Sequence, residues 1–394
     1  MLLKLAWRNI WRNKRRTYIT AASILFAVLF ASFMEALQKG VWNNTINNVV
    51  SSYMGYIQIH QKGYWEDQSI DKAFEFNDQF QQLSSSINEI EGAIPRLESF
   101  ALAAANDLTS GALVVGISPE EEHELTQLKD RVDSGNYLMK GKKTAMIGAG
   151  LAEKLKVELR DTLILLSQGY RGVNAADLFE VGAIVKFPTP ELNKQIVYLP
   201  LEYAQVFYGA EPLISSIALN LSDQDETEAV SEALKTQIDT SIYEVMTWQE
   251  LMPDLLEAKA LDSAGNYIVY MILYMIIGFG IFGTILMMTK ERSYEFGVMT
   301  AVGMHRSQLT LTVWLEVILL GLLGAVAGII ACVPIVYYFN QNPIRLSGNY
   351  GGTLEKFGFE PIFPAEFDMN IFFAQALIVF LITALLGFNF LIFR

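Results

Sequence analysis

The chain has 394 residues and a formal net charge of −13, with 52% hydrophobic and only 18% charged residues, and its mean hydropathy is +0.28. That balance excludes a disordered chain, which would be polar and highly charged, and an ordinary water-soluble enzyme, in which roughly 25% of residues are charged. A pI near 4.8 repels phosphate and excludes nucleic acid as a partner. The single cysteine, Cys332, excludes an intramolecular disulfide or a CxxC site, and three histidines leave little material for a metal centre.

Residues 1–16 carry Lys4, Arg8, Arg12, Lys14, Arg15 and Arg16 and no acid, interleaved with Leu2, Leu3, Leu5, Ala6, Ile10 and Trp11. This pattern predicts a basic amphipathic helix on the cytoplasmic face of a membrane. The uncharged run Thr17–Met34 is too long for a signal-peptide core and reads as an uncleaved anchor, the first transmembrane helix, over 17–38. Three further runs, Ser263–Thr289, Leu309–Phe339 (interrupted by Glu316) and Met369–Phe393, are long enough to cross a bilayer core, which takes about 20 residues. They give transmembrane helices over 263–289, 309–339 and 369–394. Between them lie a cytoplasmic loop at 290–308 and a short outer loop at 340–368. Residues 35–262 hold 17 basic and 35 acidic residues, so residues 39–262 are expected to form an extracytoplasmic domain inserted between helices 1 and 2.

The elements of that domain predict a mixed α/β fold. A stalk helix over about Glu35–Ser51 leads to alternating Gly55–His60, a strand. Phe80–Ile94 has helical spacing, ending at Pro95. Ala112–Ile117 reads as a strand, and Ser118-Pro-Glu-Glu-Glu122 opens a helix with a capping serine and first-turn acids. Strand-like Ala145–Gly148 leads into a helix through Leu155. Asp161–Leu166, Phe179–Val185, Gln195–Leu199 and Ser215–Leu221 read as strands. Helices follow over Leu201–Phe207 and Asp223–Thr236, and a second stalk helix over Glu250–Ala260.

Catalytic motifs are missing from the sequence. Gly135–Thr144 has the wrong spacing for a P-loop and reads as a surface turn. His123, in Glu120-Glu-Glu-His-Glu124, lacks the second histidine of HExxH and reads as a solvated acidic helix start. Glu316 sits inside a membrane run, where an acid is a functional candidate by default. Near the cytoplasmic end it is expected to pair with a basic residue such as Arg12 or Arg306. Gly321, Gly324 and Gly328 permit close helix packing, and Cys332 is expected to be a small apolar packer.

The informative segment is Lys290–Arg306. Phe296, Met299 and Val302 recur at helical spacing beside Gly297, Ala301 and Gly303. A short cytoplasmic loop needs only a turn and some positive charge. Apolar anchors at this spacing suit a helix that docks in a groove on a partner.

This segment resembles the coupling-helix motif of the MacB/FtsX/LolC-LolE superfamily of ABC transporter permeases. The residues that carry the likeness are Arg292, Glu295, Phe296, Gly297, Val298, Met299, Ala301, Val302 and Gly303. The amino end, the order of one helix, a large domain and three helices, and the stretches Gly116–Glu124 and Ile147–Leu163 are similar too, the last two most like the lipoprotein-releasing branch. Departures are Thr300, where a basic residue is common, Arg160, where a glycine is expected, and the missing polar tail after the fourth helix.

The resemblance implies a transporter permease that is not itself an enzyme and binds no cofactor, ATP and Mg being used by a cytosolic ABC ATPase dimer. It implies a second permease, identical or paralogous, and a multi-pass place in the bacterial inner membrane with both termini cytoplasmic. The substrate it suggests is a lipoprotein, with a periplasmic lipoprotein carrier as a further partner. Phe26, Phe30 and Phe33 in the first helix and Tyr267, Tyr270, Met271, Tyr274 and Met275 in the second would then line an acyl-chain cavity. Efflux of peptides or amphiphiles, and non-transporting signalling to a cell-wall hydrolase, remain open alternatives.

Overall fold

The computed structural model describes residues 2–12, 14–188, 190–223, 226–346, 348 and 361–392. Residues 347 and 349–360 of the loop expected at 340–368, the residues Gln224 and Asp225 of the helix expected over Asp223–Thr236, and Phe393 and Arg394 of the helix expected over 369–394 lie outside them. The chain divides into two compact units: residues 1–44, 257–345 and 362–394, and residues 45–256 with 346–361.

The first unit is helical. A helix at Leu2–Arg12 precedes long helices at Lys14–Val49, Pro253–Glu291, Arg306–Gln341 and Met369–Ile392. Four stretches, of 38, 39, 36 and 20 residues, are long and apolar enough to cross a membrane. They share a core of Ile24, Val28, Ile281, Ile285, Val317, Ala325, Ala376 and Val379. Glycines decide how closely two of the helices approach. A Cβ on Gly324 would lie 2.6 Å from the Ile24 Cβ, and one on Gly328 2.7 Å from the Val28 Cβ. These glycines of the third apolar helix therefore serve contact with the first helix of the same chain. A Cβ on Gly321 would meet Thr383 at 3.3 Å, across the fourth helix. Cys332 is fully buried among Ala36, Val336 and Phe372.

The second unit is built on one sheet. Its strands are β1 (Ile57–Gln61), β3 (Ile90–Ala105), β4 (Leu108–Ile117), β5 (Val132–Gly135), β6 (Thr144–Gly148), β7 (Thr162–Gln168), β8 (Asn174–Val185), β9 (Ile196–Pro200), β11 (Ser216–Leu221) and β12 (Tyr243–Thr247), while β2 (Phe74–Glu75) and β10 (Leu213–Ile214) pair separately. The order is β12-β1-β11-β3-β4-β9-β6-β8-β5, and β7 pairs with both β3 and β8. The pairings β3-β4-β9-β6-β8-β7-β3 thus close into a ring, which removes the edges those strands would otherwise expose. Leu97, Val114, Ile147, Leu163, Leu165, Phe179, Val181 and Val197 fill one core. A second core packs Val230 and Leu234, from the helix Thr227–Gln237, with Ile57, Ile59, Ile217 and Leu219.

The helix expected over Phe80–Ile94 does not form. Short turns at Asp78–Gln81 and Leu83–Ser86 give way to β3, which runs through Pro95. The Arg96 carbonyl accepts the Ser215 N–H, so alternation turns the Pro95 nitrogen to the opposite side, toward β4. The β4 register ends at Ile117 opposite Arg96, so no ladder bond is lost there and proline is tolerated. The β3–β4 hairpin turns on Asn106 and Asp107, both with positive φ (49° and 63°), the requirement of a two-residue turn that matches strand twist. Arg160 also takes a positive φ, 73°, at a position expected to hold glycine. The turn keeps its left-handed form at a strain of about 1 kcal/mol.

Glu122 corrects the reading of Glu120–Glu124 as solvated. The helix Pro119–Thr126 begins as expected, with Ser118 at its cap position but without a side-chain capping bond. Glu122 itself is fully buried, and both its oxygens accept from Arg96, at 2.8 Å from Nε and 2.7 Å from Nη2. Arg96 Nη1 also donates to the Tyr53 carbonyl at 2.5 Å, and the Tyr53 hydroxyl donates to Glu98 at 2.8 Å. Burial alone would lower the Arg96 pKa, but the carboxylates of Glu122 and Glu98 hold it above its ordinary value. The pair fixes the end of the first long helix, whose last turn is the π-helical Val50–Met54, to the sheet.

His60, fully buried on β1, stacks near Trp65 and bonds Gln58 at 2.8 Å. Burial pushes its pKa down to about 3. The unfolded histidine, with an ordinary pKa near 6.5, takes up a proton that the folded one refuses, so stability falls as pH drops below about 6.5, by up to about 1.4 kcal/mol per pH unit. Thermal unfolding of the protein at pH 7 and pH 5 should show this loss, and His60→Gln should reduce it. An identical pH dependence in wild type and variant would contradict it.

Candidate functional site: the helix at Ser293–Ala301

Arg292 ends one helix and begins the next. The long helix stops at Glu291, Arg292 leaves helical geometry with ψ near 7°, and a nine-residue helix runs over Ser293–Ala301. Its far end is closed by a Schellman arrangement. The Gly303 N–H bonds the Thr300 carbonyl at 3.1 Å and the Met304 N–H bonds the Met299 carbonyl at 3.0 Å. Gly303 has φ +103°, a value that favours glycine there. The His305 ring then caps the helix Arg306–Gln341 by accepting from the Ser307 N–H.

Buried and half-buried charges hold this helix in place. Arg292 and Glu316 are almost wholly buried, and Arg292 Nη1 bonds Glu316 Oε2 at 2.5 Å. Asn9, on the amino-terminal helix, donates to the other Glu316 oxygen at 2.6 Å. Arg292 Nε reaches Glu295 at 3.2 Å, and Arg12 pairs with the same carboxylate. The hydrogen bond from Arg12, followed by that from Arg292, holds the Glu295 carboxyl below the usual carboxylate range. The amino-terminal helix is therefore tied to both other helices, and it adds an apolar contact of Ile10 with Leu320. The expected partners of Glu316 were Arg12 or Arg306. The structure assigns it Arg292 instead, because Arg12 is taken by Glu295.

The helix's free face differs from the expected one. Phe296 and Met299 are half-buried, with the Arg292 guanidinium 5.2 Å from the Phe296 ring. The exposed apolar stripe is Tyr294 (82% exposed), Val298 and Val302 (85% exposed), separated by four residues each, with Gly297 and Ala301 beside them. Tyr294 was not among the residues singled out in the sequence. Its spacing of four from Val298 was the available signal, and the match to Phe296 obscured it.

The residues expected to line an acyl-chain cavity differ in exposure. Phe26, Phe30, Tyr267, Met271 and Met275 are exposed on this chain. Phe33 is turned inward, 5.6 Å from Phe339. The Tyr270 hydroxyl donates to Gln38 at 3.2 Å, and that of Tyr274 to Gln375, which in turn donates to Glu35. Among the described residues no group of three or more His, Cys, Asp or Glu could hold a metal ion.

Residues 17–237 match the MacB-like periplasmic core domain and residues 267–393 the FtsX-like permease C-terminal family. The chain belongs to the MacB/FtsX family of ABC transporter permeases. This permease is similar to the lipoprotein-releasing system transmembrane protein LolC of Neisseria meningitidis serogroup B, at 20% identity over 82% of this chain and 78% of that protein. It is also similar to the macrolide export ATP-binding/permease protein MacB of Nitrobacter winogradskyi, at 21% identity over 81% of this chain, and spans about half (50%) of that protein's length. The solved periplasmic region of MacB from Actinobacillus actinomycetemcomitans aligns over 54% of this chain and 98% of that one, with 15% identity and a TM-score of 0.37.

Two outcomes follow from the packing of this permease. Removing one member of a buried ion pair costs about 3–5 kcal/mol, whereas replacing both with apolar groups is near neutral. Glu316→Met or Arg292→Met alone should lower the thermal midpoint of the protein in nanodiscs, and the double variant should recover most of it; additive losses would contradict the pairing. Separately, Gly324→Val should destabilise by about 1–3 kcal/mol through overpacking against Ile24, read as a lower midpoint in the same assay.

Proposed function

We propose that this permease couples ATP hydrolysis by a separate cytosolic ABC ATPase to movement of its extracytoplasmic domain, with lipoproteins of the inner membrane as substrate. The observation that carries the reading is the exposed stripe Tyr294–Val298–Val302 on a helix anchored by the buried Arg292–Glu316 pair. Exposed apolar residues at i, i+4 and i+8 suit a groove on a partner protein. A helix held by a buried ion pair passes force to the segments it joins, since Arg292 directly follows the helix Pro253–Glu291.

In this reading the basic amino-terminal segment and residues 290–308 are cytoplasmic, and residues 39–262 are periplasmic. Two permeases, identical or paralogous, stand over two ATPases. The similarity to a lipoprotein-releasing protein over 82% of the chain supports a lipoprotein as the substrate. Extracting its acyl chains into water opposes about 0.8 kcal/mol per exposed CH₂, which is the work that ATP would supply. A periplasmic carrier would then accept the lipoprotein. Efflux of amphiphiles is a second reading, supported by the match to a macrolide export protein.

Val298→Asp puts a charge in the centre of the stripe. Co-purification of the ATPase and its stimulation by the permease should fall at least about tenfold, the effect of burying one unpaired charge in an interface, while membrane insertion is retained. Stimulation equal to wild type would remove the docking role.

A further inference from the structure

We propose that a cleft in the second unit binds a hydrophobic cation, an amine-bearing amphiphile. This goes beyond the permease reading and does not depend on it. The cleft has a volume of about 530 Å³, within the roughly 300–1,000 Å³ of small-ligand sites. Met54, Trp65 and Phe100 supply apolar and aromatic wall, and Phe100 stands exposed there although it lies on β3.

The charge of the lining selects the occupant. Glu98, Glu191 and Asp254 line the cleft, and among its described lining residues there is no lysine, arginine or histidine. Arg96 stands behind Glu98 at 3.8 Å, but Glu122 binds it with both oxygens. Arg96 is thus shared between two carboxyl groups, and Glu191 and Asp254 have no basic residue beside them among the described lining residues. An anionic headgroup would meet three carboxyl groups and no counter-charge. An uncharged chain would fill the apolar wall but bring no counter-charge to Glu191 and Asp254; Glu98 already accepts from the Tyr53 hydroxyl and lies 3.8 Å from Arg96. A monocation with an apolar body satisfies both, with the aromatic side chains of Trp65 and Phe100 in the lining. Burial raises the Glu98 pKa, and an arriving cation would favour its charged form.

The test uses the full-length protein in nanodiscs and two photoreactive probes with the same alkyl chain, one ending in a primary amine and one in an alcohol, with adducts mapped by mass spectrometry. The amine probe should label the segments around Met54, Trp65 and Phe100, and an alkyltrimethylammonium ion should compete. The double variant Glu191→Gln/Asp254→Asn should lower that labelling about tenfold, as expected for two partly exposed charge contacts. Both residues are exposed, so the variant should melt as wild type does. Trp65→Ala should lower labelling in the same direction. Equal labelling by the alcohol probe, unchanged labelling of the folded double variant, or adducts confined to the membrane helices would overturn the proposal.

Discussion

The helical unit depends on one buried ion pair. Arg292 and Glu316 are both nearly inaccessible to solvent, and such charges are tolerated only when each is bound by the other and by further hydrogen bonds. Here Asn9 also bonds Glu316, and Glu295 also bonds Arg292. The consequence is geometric. An arginine at the junction between two helices cannot move without breaking its bond to Glu316. The short helix that follows it is therefore fixed to the helix Arg306–Gln341 and, through Asn9 and Arg12, to the amino-terminal segment. Its outer stripe is left free because its inner residues, Phe296 and Met299, are used for this attachment.

The second unit solves a comparable problem around Arg96. A fully buried guanidinium needs partners for its donors: Arg96 donates to both Glu122 oxygens and to the Tyr53 carbonyl, and the Glu98 carboxyl stands 3.8 Å away. Tyr53 belongs to the π-helical turn that ends the first long helix, so the chain is clamped where it enters the sheet. In each unit an arginine stands at the point where a long helix ends and is neutralised by a glutamate distant in sequence. The closed ring of six strands gives that clamp a stiff support.

Much of this was legible in the sequence, for reasons that can be named. The four apolar runs read directly, because length and lack of charge suffice to define them. The strands at Ile57–Gln61, Thr144–Gly148 and Ser216–Leu221 were visible from alternation or from short apolar runs. β3 was not, because Phe80–Ile94 has helical spacing by chance, and because Pro95 reads as a stop signal unless the end of its neighbouring strand is known. β12 was missed because Tyr243–Thr247 is short and half-polar. At the candidate site the motif located the helix but not its orientation. Which of Phe296 and Val298 faces outward depends on where Arg292 and Glu316 meet, and two residues 24 positions apart on different helices leave no local pattern. The same limit hid Glu122, whose acidic neighbours suggested solvent.

The most direct test of the account is site-specific cross-linking from the stripe. Cys332 is buried, so a cysteine placed at Val298 would be the one exposed thiol among the described residues, and a short thiol-to-amine cross-linker in native membranes would report its neighbour. The account predicts a cross-link from Val298→Cys to an ATP-binding subunit, and a much weaker one from Phe296→Cys. A cross-link from Phe296→Cys with none from Val298→Cys, or lipid as the sole neighbour of Val298→Cys, would contradict it.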